Sequence, residues 1–171
     1  MGFYHNYRGK ITISDIDLNQ YDIESLRSRT NIVSQNVFLF KGSVKDNIKM
    51  AASNAIEHII DEATYLSGCT TLFQDDLNKV QIEEFGRNLS GGQIQAVAIA
   101  RCMLKNPDFL MFDEATTHLD KEVCQIVMHA IKNVFTDKTR IIITHDREIA
   151  KMSDRTFMLE DEKIRELKSK T

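Results

Sequence analysis

Proline occurs once in the 171 residues, glycine seven times and cysteine three times. So few chain breakers argue against a loop-rich or linker-rich chain and favour regular elements. Cys69, Cys102 and Cys124 are far apart, odd in number and never in a C-x-x-C pair. They read as reduced, mostly buried thiols, which excludes a disulfide framework and a zinc site. His5, His58, His118, His129 and His145 also lack metal-ligand spacing. Basic excess is missing too: Lys plus Arg is 22, Asp plus Glu is 25, and the net charge is -3. A nucleic-acid partner is therefore not expected, because it would show as a basic domain. No apolar run approaches the roughly 18 residues of a membrane span, and residues 1–6 do not read as a signal peptide. A cytosolic chain is the expectation.

What is present is ordinary for a globular protein, with 42% hydrophobic and 27% charged residues. The length suits about one domain with a core of its own. Residues 9–13 read as a short strand and residues 14–21 as a polar connection. Asp22 can cap a helix over 23–29, where Ile23 and Leu26 stand three apart on the apolar face. A brief β-type run over 31–34 ends at Gln35. A helical pattern covers 44–73, broken near Ser53-Asn54 and Ser67-Gly68, and a longer helix over 90–105 stops at Asn106-Pro107. Residues 109–112 form an apolar strand, 121–135 an amphipathic helix, and 140–143 a second buried strand. Residues 155–159 and 163–167 can close a hairpin. Strands alternating with helices predict an α/β domain with a largely parallel sheet.

The chemistry sits at element junctions. Leu89-Ser90-Gly91-Gly92-Gln93 lies where a loop becomes a helix. Ser90 is a good N-cap, the glycines let a ligand approach the backbone, and the positive helix end suits a phosphate. The alternative is an ordinary capped helix with a glycine turn. Further on, Phe109-Leu110-Met111-Phe112-Asp113-Glu114 is an apolar strand ending in two carboxylates. Such an end lies at the crevice where parallel sheets bind ligands. Asp113 can hold Mg²⁺, a hard cation that wants oxygen ligands, and Glu114 can polarise an attacking water. The strand Ile141-Ile142-Ile143 runs into Thr144-His145-Asp146, which sets a histidine at the same edge.

In this order the segments resemble the nucleotide-binding domain of ABC transporters over almost the whole chain. Gln35 matches the Q-loop glutamine, Leu89 to Gln93 the signature motif, and Phe109 to Glu114 the Walker B strand. Thr116-Thr117-His118-Leu119-Asp120 matches the D-loop and His145 the switch histidine. The resemblance implies a P-loop NTPase-like parallel sheet with an inserted helical subdomain over about 44–106, the remainder being α/β core. It implies ATP and Mg²⁺ as ligands, Glu114, His145 and Gln35 as catalytic, and Asp113 with Gln35 at the metal. Ser90, Gly91, Gly92, Gln93 and Asp120 would contact nucleotide held by a second nucleotide-binding domain. The segment from Gln35 to Ile48, and Glu84-Phe85-Gly86 before the signature, look like those of exporter-type members, where the latter touches the transmembrane domain. That places the chain at the inner face of the cell membrane through a transmembrane partner.

Departures are equally definite. The pattern G-x-x-x-x-G-K-[ST], which cradles the phosphates, does not occur: Gly9-Lys10 is followed by Ile11, and Gly42-Ser43 lacks the lysine. By the resemblance, the chain starts just after the Walker A helix, so a single partial domain, truncated at its N-terminus, is expected. Ile94 and Ala96 stand where many relatives carry arginine, and His118 where a small residue is usual. The reading is the C-terminal part of an exporter-type ATPase that couples Mg-ATP hydrolysis to export. Two other readings stay open: a non-catalytic partner lending its signature motif in trans, and a soluble ATPase of this family acting on DNA or ribosomes. An in-frame phosphate loop upstream would decide against the first; a basic surface or long coiled coil would favour the second.

Overall fold

A computed structural model describes residues 7–74 and 76–167. Residues 1–6, read above as no signal peptide, lie outside the described residues. Helices α1, Ile23–Arg29, and α2, Val44–Lys49, begin at side-chain caps that the sequence supplies. Asp22 accepts from the Ser25 amide at 2.8 Å and starts α1. Ser43 and Asp46 form a reciprocal capping box at the start of α2. Bonds from the Ser43 hydroxyl and amide hold the Asp46 carboxyl below the usual carboxylate range.

The helices α3, Glu57–Leu66, and α4, Cys69–Phe73, follow, joined at Gly68. Gly68 has φ +79, and a Cβ there would lie 2.6 Å from a Val123 methyl, so a side chain is excluded on both counts. Helix α5, Gly91–Lys105, packs against α2, α3 and α4. It buries residues all round, from Gln95 to Ala100 and again from Cys102 to Leu104, as a central helix must. It ends at Asn106, φ +47, followed by Pro107, which has no N–H to continue the ladder.

Three parallel strands form the sheet: β3, Thr30–Val33; β6, Phe109–Asp113; and β7, Thr139–Ile143, in the order β3-β6-β7. Asp108 ties together the end at which the strands begin. Its amide donates to Arg29 O, its carbonyl accepts from Thr139, and its carboxylate meets Lys138 and Arg29. Register lines up Val33, Phe112 and Ile142 on one face and Ile32, Met111 and Ile141 on the other. The first face joins the main hydrophobic core with α5 and with α6, Lys121–Val134. The second face stays open: Ile141 and Ile143 are 44% and 52% exposed. Helix α7, Arg147–Lys151, leads to a hairpin of β8, Thr156–Glu160, and β9, Lys163–Leu167. Its facing Leu159 and Ile164 are exposed.

The expected α/β architecture with a parallel sheet is present. Boundaries agree within a residue or so for 23–29, 90–105, 109–112 and 121–135. Three readings need correction. The strand read as buried over 140–143 is β7, in which no residue is buried. Residues 14–21 are no simple connection: β1, Thr12–Ile13, pairs with β2, Ile16–Asp17, through Ser14 and Asp15, both with positive φ, and a 3-10 turn over Leu18–Gln20 follows. The strand expected over 9–13 shrinks to β1. A second two-residue pairing joins β4, Gly42–Ser43, to β5, Gln81–Ile82. Cys69 and Cys102 are buried and free, their thiols pushed by burial up to about 12 and about 11.

Candidate active site

Parallel strands in register end together, so the residues that follow them share one edge. Gln35 comes two residues after β3, Asp113 and Glu114 stand at the end of β6, and His145 two residues after β7. The Glu114 amide donates to Ile143 O at 3.0 Å, which extends the ladder one step. Glu114 then turns into the left-handed region at φ +49. A non-glycine residue held there is strained, and such strain concentrates at functional sites.

The Glu114 carboxylate Oε1 lies 3.6 Å from His145 Nδ1. His145 is carried by a tight turn. The Asp146 amide donates to Thr144 Oγ1 at 3.0 Å, and Asp146 caps α7 through the Glu148 amide at 2.8 Å. Asp113 is half-buried, and its carboxylate meets no donor or cation among the described residues. Gln35 is exposed; its carbonyl accepts from Gln95 Nε2 at 3.1 Å.

The second part of the site is the start of α5. Ser90 Oγ accepts from the Gln93 amide at 3.2 Å, and Gln93 Oε1 accepts from the Ser90 amide at 3.0 Å. The serine hydroxyl hydrogen remains available to a ligand. Among the described residues, no acceptor meets the amides of Gly91 and Gly92, which leaves two donors at a positive helix end. A Cβ on Gly92 would lie 2.9 Å from His118 O, and one on Gly91 3.1 Å from the His118 side chain. His118 therefore rests on the glycines themselves.

Two of the expected ligand residues have work within the chain. The Gln93 carboxamide completes the capping box and donates to Leu72 O at 3.3 Å. Asp120 caps α6 by accepting from the Val123 amide at 2.9 Å.

Sequence reasoning missed Gln95, Asn47 and Arg101. The Arg101 guanidinium donates to Asn47 O, Asn47 Oδ1 and Phe38 O at 2.7, 2.8 and 2.7 Å. Asn47 in turn bonds Phe40 through its N–H and its carbonyl. Burial holds the Arg101 pKa below its ordinary value. The signal available was a charge inside the buried run Ala98-Ile99-Ala100-Arg101-Cys102-Met103. This network presents an exposed aromatic cluster, in which Phe38 stacks edge-on against Phe40 and Phe85 at 4.8 and 5.3 Å. Phe85 lies in the 3-10 turn Glu84–Gly86.

The donor set can be weighed against the ligands it is expected to take. Among the described residues no group of three or more His, Cys, Asp or Glu could hold a metal unaided. A lone unpartnered carboxylate suits Mg²⁺ that keeps waters and binds substrate phosphates. The free amides of Gly91 and Gly92 suit a phosphate oxygen. No helix among the described residues is long and apolar enough to cross a membrane.

Residues 1–117 match the family model described as ABC transporter. The chain is 34% identical, over 95% of its length, to the ABC transporter B family member 21 of Arabidopsis thaliana, of which it covers 13%. It is 33% identical over 92% of its length to a multidrug efflux ATP-binding/permease protein of Mycobacterium bovis, again covering 13%. With an ATP-dependent lipid A-core flippase of Francisella novicida it shares 34% identity over 95% of its length and 28% of that protein. It therefore spans 13 to 28% of the length of these curated relatives. Among solved structures, a bacterial Atm1-family ABC exporter with ATP bound superposes with a TM-score of 0.88 at 31% identity. That match covers 94% of this chain and 29% of the other.

Proposed function

The chain belongs to the ABC transporter family, and we propose that it forms part of the nucleotide-binding unit of an exporter, coupling Mg-ATP binding and hydrolysis to export. The observation that carries this reading is the shared edge where Asp113, Glu114 and His145 converge, with Glu114 Oε1 3.6 Å from His145 Nδ1. Phosphoryl transfer to water needs positioning and charge stabilisation more than covalent chemistry, and these residues offer both.

Each side chain has a distinct task. Glu114 orients and polarises the attacking water. His145 donates a hydrogen bond to a γ-phosphate oxygen. Asp113, with Gln35, would hold Mg²⁺, which when bound would neutralise phosphate charge. Ser90, Gly91 and Gly92 offer a hydroxyl and two amides to nucleotide held by a second domain, while Gln93 and Asp120 keep the ends of α5 and α6 in place. The aromatic cluster of Phe38, Phe40 and Phe85 is the face for a transmembrane partner. The unit works on the cytoplasmic side of the membrane, with 44–106 as its helical subdomain.

The 171 residues hold no phosphate-loop pattern. The isolated chain is therefore expected to bind Mg-ATP weakly, and titration calorimetry giving micromolar affinity would show that the phosphates are held without that loop. Hydrolysis itself is tested by Glu114→Gln in a polypeptide that supplies the phosphate loop upstream of this chain. Nucleotide binding should persist while turnover falls by about two orders of magnitude or more. Near-normal turnover would remove Glu114 from the reaction.

A further inference from the structure

Gln95 is 1% exposed on the central helix, among buried Ala96, Val97 and Ile99. Its Nε2 donates to the carbonyl of Gln35, sixty residues away in sequence, at 3.1 Å. Its Oε1 is the one buried side-chain polar atom among the described residues that lacks a hydrogen-bond partner. Burying an unpartnered carbonyl is unfavourable, and an apolar side chain of similar volume would avoid it. A carboxamide at this place is therefore a costly way to fill the core, and the contact it makes is to the main chain of a single functional residue.

The other end of the same segment is bonded to the same helix. Arg101 holds Phe38 O and Asn47, and Asn47 holds Phe40. Residues 35–47 are thus fastened to α5 at both ends, by Gln95 near the sheet edge and by Arg101 beneath the aromatic cluster.

We infer that Gln95 is a positioning residue, whose carboxamide fixes the Gln35 main chain and so sets where the Gln35 side chain stands at the edge where the parallel strands end. Its consequence for hydrolysis rests on the role proposed for Gln35; the contact itself does not. The segment leaves β3 at Val33, and a Ser34 hydroxyl bond to Asn36 O steadies it locally. Without the tether, the Gln35 backbone would sample several orientations, and its amide would meet the metal in only a fraction of them.

The test is nuclear magnetic relaxation on the 171-residue chain carrying Gln95→Leu, with Gln95→Met as a second apolar variant. Backbone order parameters at Gln35 and Asn36 should fall from about 0.85 to below about 0.6. Those of α5 should stay unchanged, and the melting temperature should hold or rise, because the unpartnered oxygen is gone. Gln95→Glu supplies the conservative rescue. As a carboxylate it only accepts and should loosen Gln35, whereas protonated at acid pH it donates again and should restore order. Unchanged order at Gln35 in both apolar variants would overturn the inference. So would equal loosening along the whole of α5, which would make Gln95 a packing residue. Failure of the nucleotide reading would appear as absent Mg-ATP turnover in an unsubstituted polypeptide that supplies the phosphate loop upstream of this chain, and would leave these order parameters as they are.

Discussion

His145 Nδ1 faces Glu114 Oε1 across 3.6 Å, although 31 residues of chain separate them. The spacing is longer than a hydrogen bond, so neither group is consumed by the other. Both remain free to engage a third partner between the strand ends. The relationship exists because β6 and β7 are parallel and in register, with Asp113 level with Ile143. Shifting that register by one residue would turn both groups to the wrong face.

The open edge of β7 gives the first prediction. Among the described residues, Phe109 to Phe112 have a strand on each side, whereas Arg140 to Ile143 have one. Parallel sheets are ordinarily covered on both faces, and this one exposes Ile32, Ile141 and Ile143. By the family resemblance, the phosphate-loop strand belongs beside β7. Amides of Arg140 to Ile143 should therefore exchange faster than those of Phe109 to Phe112, and the isolated chain should self-associate or be marginally stable. Equal protection in a monodisperse monomer would show the edge to be filled.

Gly92 and Gly91 separate steric from chemical need. A Cβ at Gly92 meets the His118 carbonyl oxygen at 2.9 Å, a backbone atom that cannot swing away. At Gly91 the obstruction is the exposed His118 side chain at 3.1 Å. Gly92→Ala should destabilise the chain by about 1–3 kcal/mol in urea unfolding, the usual cost of overpacking. Gly91→Ala should cost less.

Arg101→Met should cost about 2–3 kcal/mol, because part-buried Asn47 O and Asn47 Oδ1 lose charged donors. Arg101→Lys should restore little of this, since an ammonium group cannot reproduce the three-bond fork. Chemical unfolding of the two variants decides it, with equal recovery by lysine as the contrary result.

Asp108 sets an acid limb. Its carboxyl is held below the ordinary aspartate value by hydrogen bonds from Lys138 and then Arg29. The unfolded chain therefore binds the proton more tightly, so this stabilisation is present above the ordinary aspartate pKa. It is lost as pH falls through the lower, folded value. Melting temperature against pH should be flatter below about pH 4 in Asp108→Asn than in the parent. Parallel curves would remove Asp108 from the acid response.

Features written in adjacent residues could be read from the sequence. Asp22 caps α1, Asn106-Pro107 ends α5, and Asp161 with Glu162 turns the last hairpin, all through contacts a few residues long. The β1–β2 hairpin escaped because Ser14 and Asp15 adopt positive φ without the glycine or asparagine that usually marks such a turn. The β4–β5 pairing escaped because Gly42 and Ile82 meet across forty residues with no periodicity to announce them. The candidate site divides likewise. Strand-end carboxylates and a glycine-rich helix start are local patterns, whereas the bonds of Arg101 and Gln95 span 54 to 63 residues and belong to the tertiary fold.

Helix α5 carries Gly91 and Gly92 at one end, while Gln95 and Arg101 grip the Gln35–Asn47 segment along its flank. Fifteen residues make a rod of about 22 Å. Pivoting such a rod by about 5° at Asn106 sweeps Ser90 through about 2 Å, beyond the range in which a hydrogen bond survives. A push too slight to disturb the core at the aromatic cluster thus becomes, at the far tip, the difference between contact and none.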